Sequence, residues 1–188
     1  MRKLVVFNQV TLDGFFADMN GGISWAHKEK QDAEWNAFVA ENANAGGLLL
    51  FGRITYELMA GYWPTPYATE NDPLVAERMN NLPKVVFSRT LVQASWNNTR
   101  LVKDGMAAKI RKMKQEPGKQ IAILGSASLV SPLAQAGLID EYQIVVNPVV
   151  LGQGRTLFAG IEDKLTLRLT KTRAFANGNV LLCYEPVA

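Results

Sequence analysis

The sequence predicts a three-layer α/β domain built around a mixed sheet, and three observations lead to this prediction. Short apolar runs recur along the chain, for example at residues 48–51 and 120–124, and such runs are typical of strands buried on both faces. Stretches with helical composition separate these runs, which indicates βαβ units. Near the C-terminus, two strand-like segments flank the turn pair Asn177-Gly178, which predicts an antiparallel hairpin. Helices covering both faces of such a sheet make three layers.

The composition excludes several classes of protein. A chain of 188 residues with 48% hydrophobic and 20% charged residues suits a single domain, here 1–188, with a sizeable core. The net charge is +3, and the sequence contains no block of like charges. We therefore expect no nucleic-acid binding. No apolar stretch reaches the length of a membrane span, and the N-terminus lacks the features of a signal peptide. We therefore expect a cytoplasmic protein without membrane contact, in which the lone Cys183 is buried and inert.

The first third of the chain predicts a strand, a long loop and a helix. Residues 3–10 form the strand, and the turn pair Asp13-Gly14 follows it. The loop 15–27 is rich in glycine and aromatic residues, a composition typical of a lid or a pocket wall. The helix covers residues 32–44, because apolar side chains recur there on one face.

The middle of the chain alternates between strands and helices. The predicted elements are a strand at 48–51, a helix at 53–59, a helix at 72–81, a strand at 83–87, a weak strand at 96–102 and a helix at 104–115. The aromatic and proline-rich segment 60–67 is predicted as a loop.

The last third adds one more βα unit and the antiparallel strands. A strand at 120–124 leads into a helix at Gly125, and a long strand covers 140–150. Pro132 implies either an irregular first turn or a shorter helix capped by Ser131 with Pro132 at its first position. A glycine loop follows at 151–158, and strands at 165–170 and 180–184 end the chain.

Polar and glycine-containing turns follow three predicted strands, and they indicate a ligand site. The turns are Gly52-Arg53, Ser88-Arg89-Thr90 and Gly125-Ser126. Parallel strands bring such turns to one edge of the sheet, where α/β proteins bind ligands. Helix N-termini favour anions there, and Arg53 and Thr55 add a charge and a hydroxyl donor. One extended phosphate-bearing ligand accounts for all three turns, although Arg53 alone also fits an ordinary αβ turn.

The absence of several sequence motifs argues against a metal site and the usual dinucleotide fingerprint. The chain contains no GxGxxG, HExxH or CxxC motif and no acidic or histidine cluster with metal-ligand spacing, so we expect no metal site. Asp13 is either a turn residue or an acid at the end of a central strand.

These motifs together resemble the dihydrofolate reductase superfamily, specifically the branch similar to the C-terminal reductase domain of bacterial riboflavin biosynthesis. The matching segments occur in the family's order at 10–17, 52–57, 88–90, 125–129, 151–154 and 157–158. The resemblance implies a dihydrofolate reductase-like αβα fold with a mostly parallel sheet and a C-terminal antiparallel hairpin. It also implies NADPH-dependent hydride transfer to a C=N or C=O group of a small heterocycle, pyrimidine- or pterin-like, as in 5-amino-6-(5-phosphoribosylamino)uracil reductases.

The resemblance also implies roles for individual residues. Those expected to contact NADPH are Val10, Gly52, Arg53, Thr55, Ser88, Arg89, Thr90, Gly125, Ser126, Ala127, Ser128 and Leu129. Thr11, Trp25 and Phe38 would line the substrate pocket. Asp13 or Glu34 would handle the proton, with a raised pKa if the pocket is apolar. Ser126 replaces the second glycine of the family's usual pair, so we expect a strained positive φ there.

Two alternatives to this reductase remain open. One is a true dihydrofolate reductase, and the other is a nucleotide- or flavin-binding protein of the same fold without turnover. Relatives of this branch are commonly dimers, so we expect a C2 homodimer that uses the C-terminal strands or the loop 62–67.

Overall fold

The computed structural model describes residues 1–26 and 32–187, so His27, the last residue of the predicted loop, lies outside it. The elements in chain order are β1 (Leu4–Thr11), β2 (Phe15–Ala17), α1 (Ala33–Ala45), β3 (Gly46–Gly52), α2 (Arg53–Tyr62), α3 (Pro66–Asn71), α4 (Pro73–Asn81), β4 (Lys84–Phe87), β5 (Thr99–Val102), α5 (Met106–Gln115), β6 (Gln120–Leu124), α6 (Ala127–Gln135), β7 (Glu141–Asn147), β8 (Arg155–Thr156), β9 (Leu167–Ala174) and β10 (Val180–Pro186). A 3-10 turn covers Ser24–Ala26.

The strands form one large mixed sheet. Its order is β5-β4-β3-β6-β1-β7-β10-β9. The first six strands are parallel to one another, and β10 pairs antiparallel with both β7 and β9. A second, two-stranded sheet joins β2 to β8. The predicted mixed sheet with a C-terminal antiparallel hairpin is confirmed.

Helices cover both faces of the sheet because successive side chains of a strand point to opposite sides. On one face, β1 contributes Leu4 and Val6 to the main core, where they pack with residues of α5 and α6. On the other face, α2 and α4 pack over β3 and β4, while α1 packs over β1, β7 and β10, with Phe7 at the margin. None of the helices described is both long and apolar enough to cross a bilayer.

Two segments differ from the prediction in the middle of the chain. The end of the predicted loop 60–67 begins α3, where the Thr65 hydroxyl accepts from the Ala68 N–H at 3.2 Å and Pro66 takes the first helical position. This capping sequence was the missed signal. Trp96 is not in a strand, since β5 begins only at Thr99. The Trp96 ring is buried instead, and its backbone N–H donates to the Tyr56 hydroxyl at 2.9 Å.

The C-terminal elements also differ in length. Helix α6 continues through Pro132, so Ser131 does not cap it. Strand β7 ends at Asn147, before Pro148, which has no N–H for the ladder. Strand β9 extends to Ala174, beyond the predicted end at residue 170, although most of its side chains are exposed.

Basic side chains at the amino edge of the sheet bond backbone carbonyl groups. The bonds run from Arg2 to Lys119 O, Arg78 to Gly46 O, Lys84 to Met79, Asn80 and Leu82 O, Lys114 to Leu138 O, and Lys119 to Asn44 O. Several of these carbonyls end helices, where the dipole favours cations. Lys84 and Lys119 therefore stabilise the C-terminal ends of α4 and α1.

Candidate functional site

The predicted turns converge at the carboxyl edge of the sheet. Gly52 ends β3, which lies between β4 and β6. Gly52 pairs in register with Phe87, the last residue of β4. On the other side of β6, Phe7 of β1 is in register with Leu124. The turns after β3, β4, β6 and β1 thus lie along a single edge.

The Ser126 hydroxyl joins two of these turns. It accepts the Gly52 backbone N–H at 2.7 Å and donates to the Thr55 hydroxyl at 2.9 Å. Ser126 is only 6% exposed. The bonds hold the start of α6 directly against the start of α2.

Glycines make this approach possible. A Cβ atom on Gly52 would lie 2.8 Å from the Ser128 Oγ, and one on Gly125 would lie 2.9 Å from the Thr55 Oγ1. Gly52 has no side chain with which to cap α2, and the Ser126 hydroxyl makes no capping bond to α6. Two helix N-termini without side-chain caps therefore lie side by side, an arrangement that favours an anion.

The expected positive φ at Ser126 is confirmed. Ser126 has φ 67° and ψ 77°, directly after Gly125 with φ 63°. A non-glycine residue in the left-handed region costs energy, which the two hydroxyl bonds help to offset.

The two arginines of the site lie on its exposed side. Arg53 pairs with Glu57, one helical turn later, with 2.9 Å between the charged atoms. Arg89 pairs with Asp104 at 3.3 Å, and their side chains are 84% and 77% exposed. Pairs this exposed are weak, so the structure leaves both guanidinium groups accessible to an anionic ligand.

Ser88 shapes the turn that carries Arg89. Its hydroxyl accepts the backbone N–H groups of Thr90 at 3.2 Å and Leu91 at 2.9 Å. The Thr90 hydroxyl lies 3.4 Å from the same oxygen. The polar triplet is therefore an ordered turn at the end of β4.

Asp13 fastens a loop at the end of β1. Its carboxylate accepts the Thr11 hydroxyl at 2.6 Å, the Leu151 N–H at 3.2 Å and the Gly152 N–H at 2.7 Å. The bond from Thr11, with smaller contributions from the two backbone N–H groups, lowers the pKa of Asp13 below its ordinary value. A raised pKa was expected only in an apolar pocket, and this condition is not met at Asp13, because its oxygens meet hydrogen-bond donors and solvent.

The residues predicted on α1 have other partners. Glu34 is exposed in the first turn and pairs with Arg173 of β9 at 3.1 Å. Phe38 is 8% exposed and packs against the rings of Trp35, Phe7 and Phe175. Its ring belongs to the core beneath α1, so the contacts support packing more than substrate binding.

Trp25 lies in the 3-10 turn and is partly buried. Its indole N–H is shielded from solvent and has no hydrogen-bond partner among the residues described. A buried donor without a partner fits a wall that meets a polar group of a ligand.

The remaining predicted residues differ in accessibility. Ser128 is exposed and Ala127 partly so, whereas the side chains of Val10, Thr11 and Leu129 are buried. Leu129 packs in the main core, which leaves no side-chain contact to a ligand. Asp104 and the N–H groups of 151–152 were not predicted as part of the site, because their contacts join different segments of the chain.

Comparison with known proteins identifies the family. The model of the RibD C-terminal domain matches residues 2–181. The chain is 31% identical over 184 residues to the uncharacterized protein YyaP of Bacillus subtilis (strain 168), covering 98% of this chain and 95% of the relative.

Solved structures share the fold. A protein from Shewanella sp. PV-4, called "Putative riboflavin biosynthesis protein", superposes with a TM-score of 0.74 at 21% identity and covers 99% of both chains. Dihydrofolate reductase from Enterococcus faecalis, complexed with NADP(H), superposes with a TM-score of 0.60 at 14% identity, covering 99% of this chain and 97% of the other. The fold is thus dihydrofolate reductase-like, and with the family match over nearly its whole length the chain belongs to the RibD C-terminal domain family.

Proposed function

We propose that this protein is an NADPH-dependent reductase that transfers hydride to a C=N or C=O group of a small pyrimidine- or pterin-like molecule. The family is oxidoreductase-like, and one structural neighbour was solved with NADP(H). The proposal concerns the cofactor and the substrate class of this particular chain.

One observation carries the proposal. The Ser126 hydroxyl bonds Gly52 and Thr55, and this bridge places the N-termini of α2 and α6 next to each other. Glycine at 52 and 125 permits this close approach, since a Cβ atom on either would lie less than 3 Å from the Ser128 or Thr55 side chain. A diphosphate fits such a place, since its charges meet the positive ends of two helices and several free N–H groups.

Arg89 supports NADPH over NADH. It lies in the turn after the neighbouring strand β4, and among the residues that the structure describes its one ion pair is the exposed contact with Asp104. Exchanging that carboxylate for a 2′-phosphate would cost little, because a pair this exposed is worth about 0–1 kcal/mol. A phosphate also offers the guanidinium a bidentate partner.

Bound NADPH would supply the hydride. The chain itself would bind the cofactor and the substrate and orient them toward each other. The bonded group of Gly52, Thr55 and Ser126 would position the starts of α2 and α6, whose backbone N–H groups would hold the diphosphate, while the backbone at Val10 and Thr11 would face the reacting ring. Trp25 would exclude water from one side. With the pKa of Asp13 lowered and Glu34 paired to Arg173, we expect the proton to come from solvent.

Calorimetric titration of NADPH and NADH tests the proposal. Wild type should prefer NADPH, and Arg89→Ala should lose about 1.5–3 kcal/mol of NADPH binding, roughly 10- to 150-fold, while NADH binding is unchanged. Arg100→Ala is the matched control, since Arg100 is an exposed arginine on β5, in the cleft at the amino edge. Asp104→Asn should tighten NADPH binding slightly. Equal binding of both nucleotides by wild type, or none, would contradict the cofactor assignment.

A binding protein without turnover is the second candidate. The observation that favours it is that neither predicted acid is placed as a proton donor, since Asp13 serves a loop and Glu34 an ion pair. NADPH binding without oxidation across a panel of pyrimidines, pterins and aldehydes would select this candidate. Failure to bind methotrexate would argue against a true dihydrofolate reductase.

A further inference from the structure

The face of β1 that α1 covers ends in two polar side chains at the candidate site. Phe7 packs at the margin of the cluster under α1, and Gln9 and Thr11 follow on the same face, because alternate residues of a strand share a face. The Thr11 hydroxyl is already engaged, since it donates to Asp13 at 2.6 Å and accepts the Phe15 N–H at 3.0 Å. Of the two, Gln9 is therefore the side chain left to meet a ligand.

Asn147, at the end of β7, holds one end of the Gln9 amide. Asn147 is 0% exposed. Its Nδ2 donates to the carbonyl oxygens of Val10 and Val145, both at 3.3 Å, and to the Gln9 Oε1 at 3.2 Å. Backbone carbonyl oxygens only accept hydrogen bonds, so the amide atom that faces two of them must be the nitrogen. The backbone of β1 and β7 therefore fixes the orientation of the Asn147 amide.

The orientation of Asn147 in turn fixes that of Gln9. The Asn147 nitrogen donates, so the Gln9 atom that meets it must be the oxygen. The Gln9 Nε2 then points away from Asn147 as a donor, and no residue that the structure describes accepts a hydrogen bond from it. The Asn147 Oδ1 is shielded from solvent and has no partner among the same residues, which indicates that the three acceptors of Nδ2, and not the needs of the oxygen, decide how this amide is turned.

We propose that Gln9 determines specificity by donating from its Nε2 to a carbonyl oxygen of the bound heterocycle, and that Asn147 is the positioning residue that keeps this donor turned toward the site. The inference rests on the proposed function, which places the reacting ring at the backbone of Val10 and Thr11, next to Gln9. A ring that carries a carbonyl group pairs with the donor. A ring that carries an amino group at the same place leaves two donors facing each other, and both stay unpaired.

Two pyrimidines of similar shape test the donor. 6-Aminouracil carries two ring carbonyl groups, and 2,4,6-triaminopyrimidine carries amino groups at the same places. In titrations followed by ligand-observed NMR, wild type should bind 6-aminouracil about tenfold more tightly than the triamine. Gln9→Glu keeps an acceptor for Asn147 and exchanges the donor for a second acceptor, so it should reverse this preference. Gln9→Met removes both groups and should bring the ratio of the two affinities close to one.

Asn147→Ala tests the positioning role. Without Asn147 the Gln9 amide can turn over and present either its oxygen or its nitrogen, so the affinity ratio should fall toward one without reversing. A loss of packing alone would weaken both pyrimidines equally and leave the ratio unchanged. In the Gln9→Met background, Asn147→Ala should not change the ratio further. Asn147→Ser, whose hydroxyl can still donate to one backbone carbonyl, replaces the alanine variant if that variant does not fold.

Gln120→Glu is the matched control, since Gln120 is a half-buried glutamine at the amino end of the neighbouring strand β6. It should keep the wild-type ratio. Equal binding of both pyrimidines by wild type, a ratio that Gln9→Glu leaves unchanged, or binding of neither pyrimidine with or without saturating NADPH would overturn the inference.

Titration of NADPH separates this inference from the proposed function. If NADPH binds and the pyrimidines are not distinguished, the role of Gln9 fails and the cofactor assignment stands. If the pyrimidines are distinguished through Gln9 and NADPH does not bind, the cofactor assignment fails and the role of Gln9 stands. A Gln9→Met variant that loses NADPH binding and keeps the pyrimidine ratio would place the donor at the cofactor and overturn the inference.

Discussion

Replacing the buried Lys84 with methionine should destabilise the protein strongly. Lys84 is 1% exposed, and its ammonium donates to the carbonyls of Met79, Asn80 and Leu82 at 2.8, 3.0 and 2.7 Å. These groups lack their usual helical donors. Pro83 has no N–H for Met79, and the Lys84 N–H bonds Asn98 in place of Asn80. The Lys84 side chain thus caps the C-terminus of α4.

The magnitude follows from the three carbonyls. The methionine side chain keeps most of the packing under the Trp96 ring, 4.5 Å from the ammonium, so the loss is mainly polar. Two buried acceptors and one partly buried acceptor left without the lysine donor, offset by relief from burying a charge, give about 3–5 kcal/mol.

Urea denaturation followed by tryptophan fluorescence and circular dichroism measures this effect. Lys112→Met is the matched control, since Lys112 is exposed on α5 and its loss should change the free energy of unfolding by less than about 0.5 kcal/mol. A Lys84→Met variant within 0.5 kcal/mol of wild type would refute the capping argument.

The same variant carries a pH prediction. Burial lowers the pKa of Lys84 to about 8 from 10.5. Between these values the unfolded chain binds more protons than the folded one, so the Lys84 contribution to stability rises with pH. The difference in unfolding free energy between wild type and Lys84→Met should therefore grow from pH 8 to pH 10 and be constant below pH 7. A difference that shrinks over that range would contradict the lowered pKa.

Further predictions concern the site and the assembly. Ser126→Ala keeps the left-handed backbone and loses both hydroxyl bonds, so it should destabilise the protein by about 1–3 kcal/mol, and Ser126→Gly by less because glycine relieves the strain. Chemical denaturation compares the two, and equal stability would contradict the argument. The Asp13 carboxyl should titrate below its ordinary pKa in a carbon-detected NMR titration, so its contribution to stability is complete above the ordinary pKa and is lost as the pH falls from there through the lowered value. Normal titration would contradict the bonds to Thr11 and Gly152. We also propose a C2 homodimer, supported by β9, the exposed outer strand of the described sheet, and by the exposed Tyr67. A monomer mass by light scattering at micromolar concentration would contradict it.

Most of the strands and helices could be predicted, because the patterns that indicate them depend on residues close together in the chain. The strand at 120–124 was predicted with its observed ends, since a continuous apolar run needs only its own residues to indicate burial on both faces. The turn at Asn177-Gly178 was equally clear. Helix α3 was not predicted, because the aromatic and proline residues of 60–67 indicated a loop, although Thr65-Pro66 is a helix-capping sequence.

The parts of the site differ in the same way. Gly52, Ser126 and Thr55 were predicted from the turns in which they lie, and the structure brings them into direct contact. The roles of Asp13 and Glu34 in a hydrogen bond and an ion pair could not be predicted, because their partners, Gly152 and Arg173, lie on distant segments of the chain.

The sequence by itself determined the succession of strands and helices, the glycine turns and the family, because hydrophobic periodicity and turn chemistry depend on residues close together in the chain. Only the tertiary structure decided which groups meet: that Asp13 serves a loop, that Lys84 ends a helix and that Phe38 belongs to the core. The physical reason is that the strand order, which no local pattern encodes, brings distant donors and acceptors within hydrogen-bonding distance, and those contacts set the charge, burial and role of each side chain.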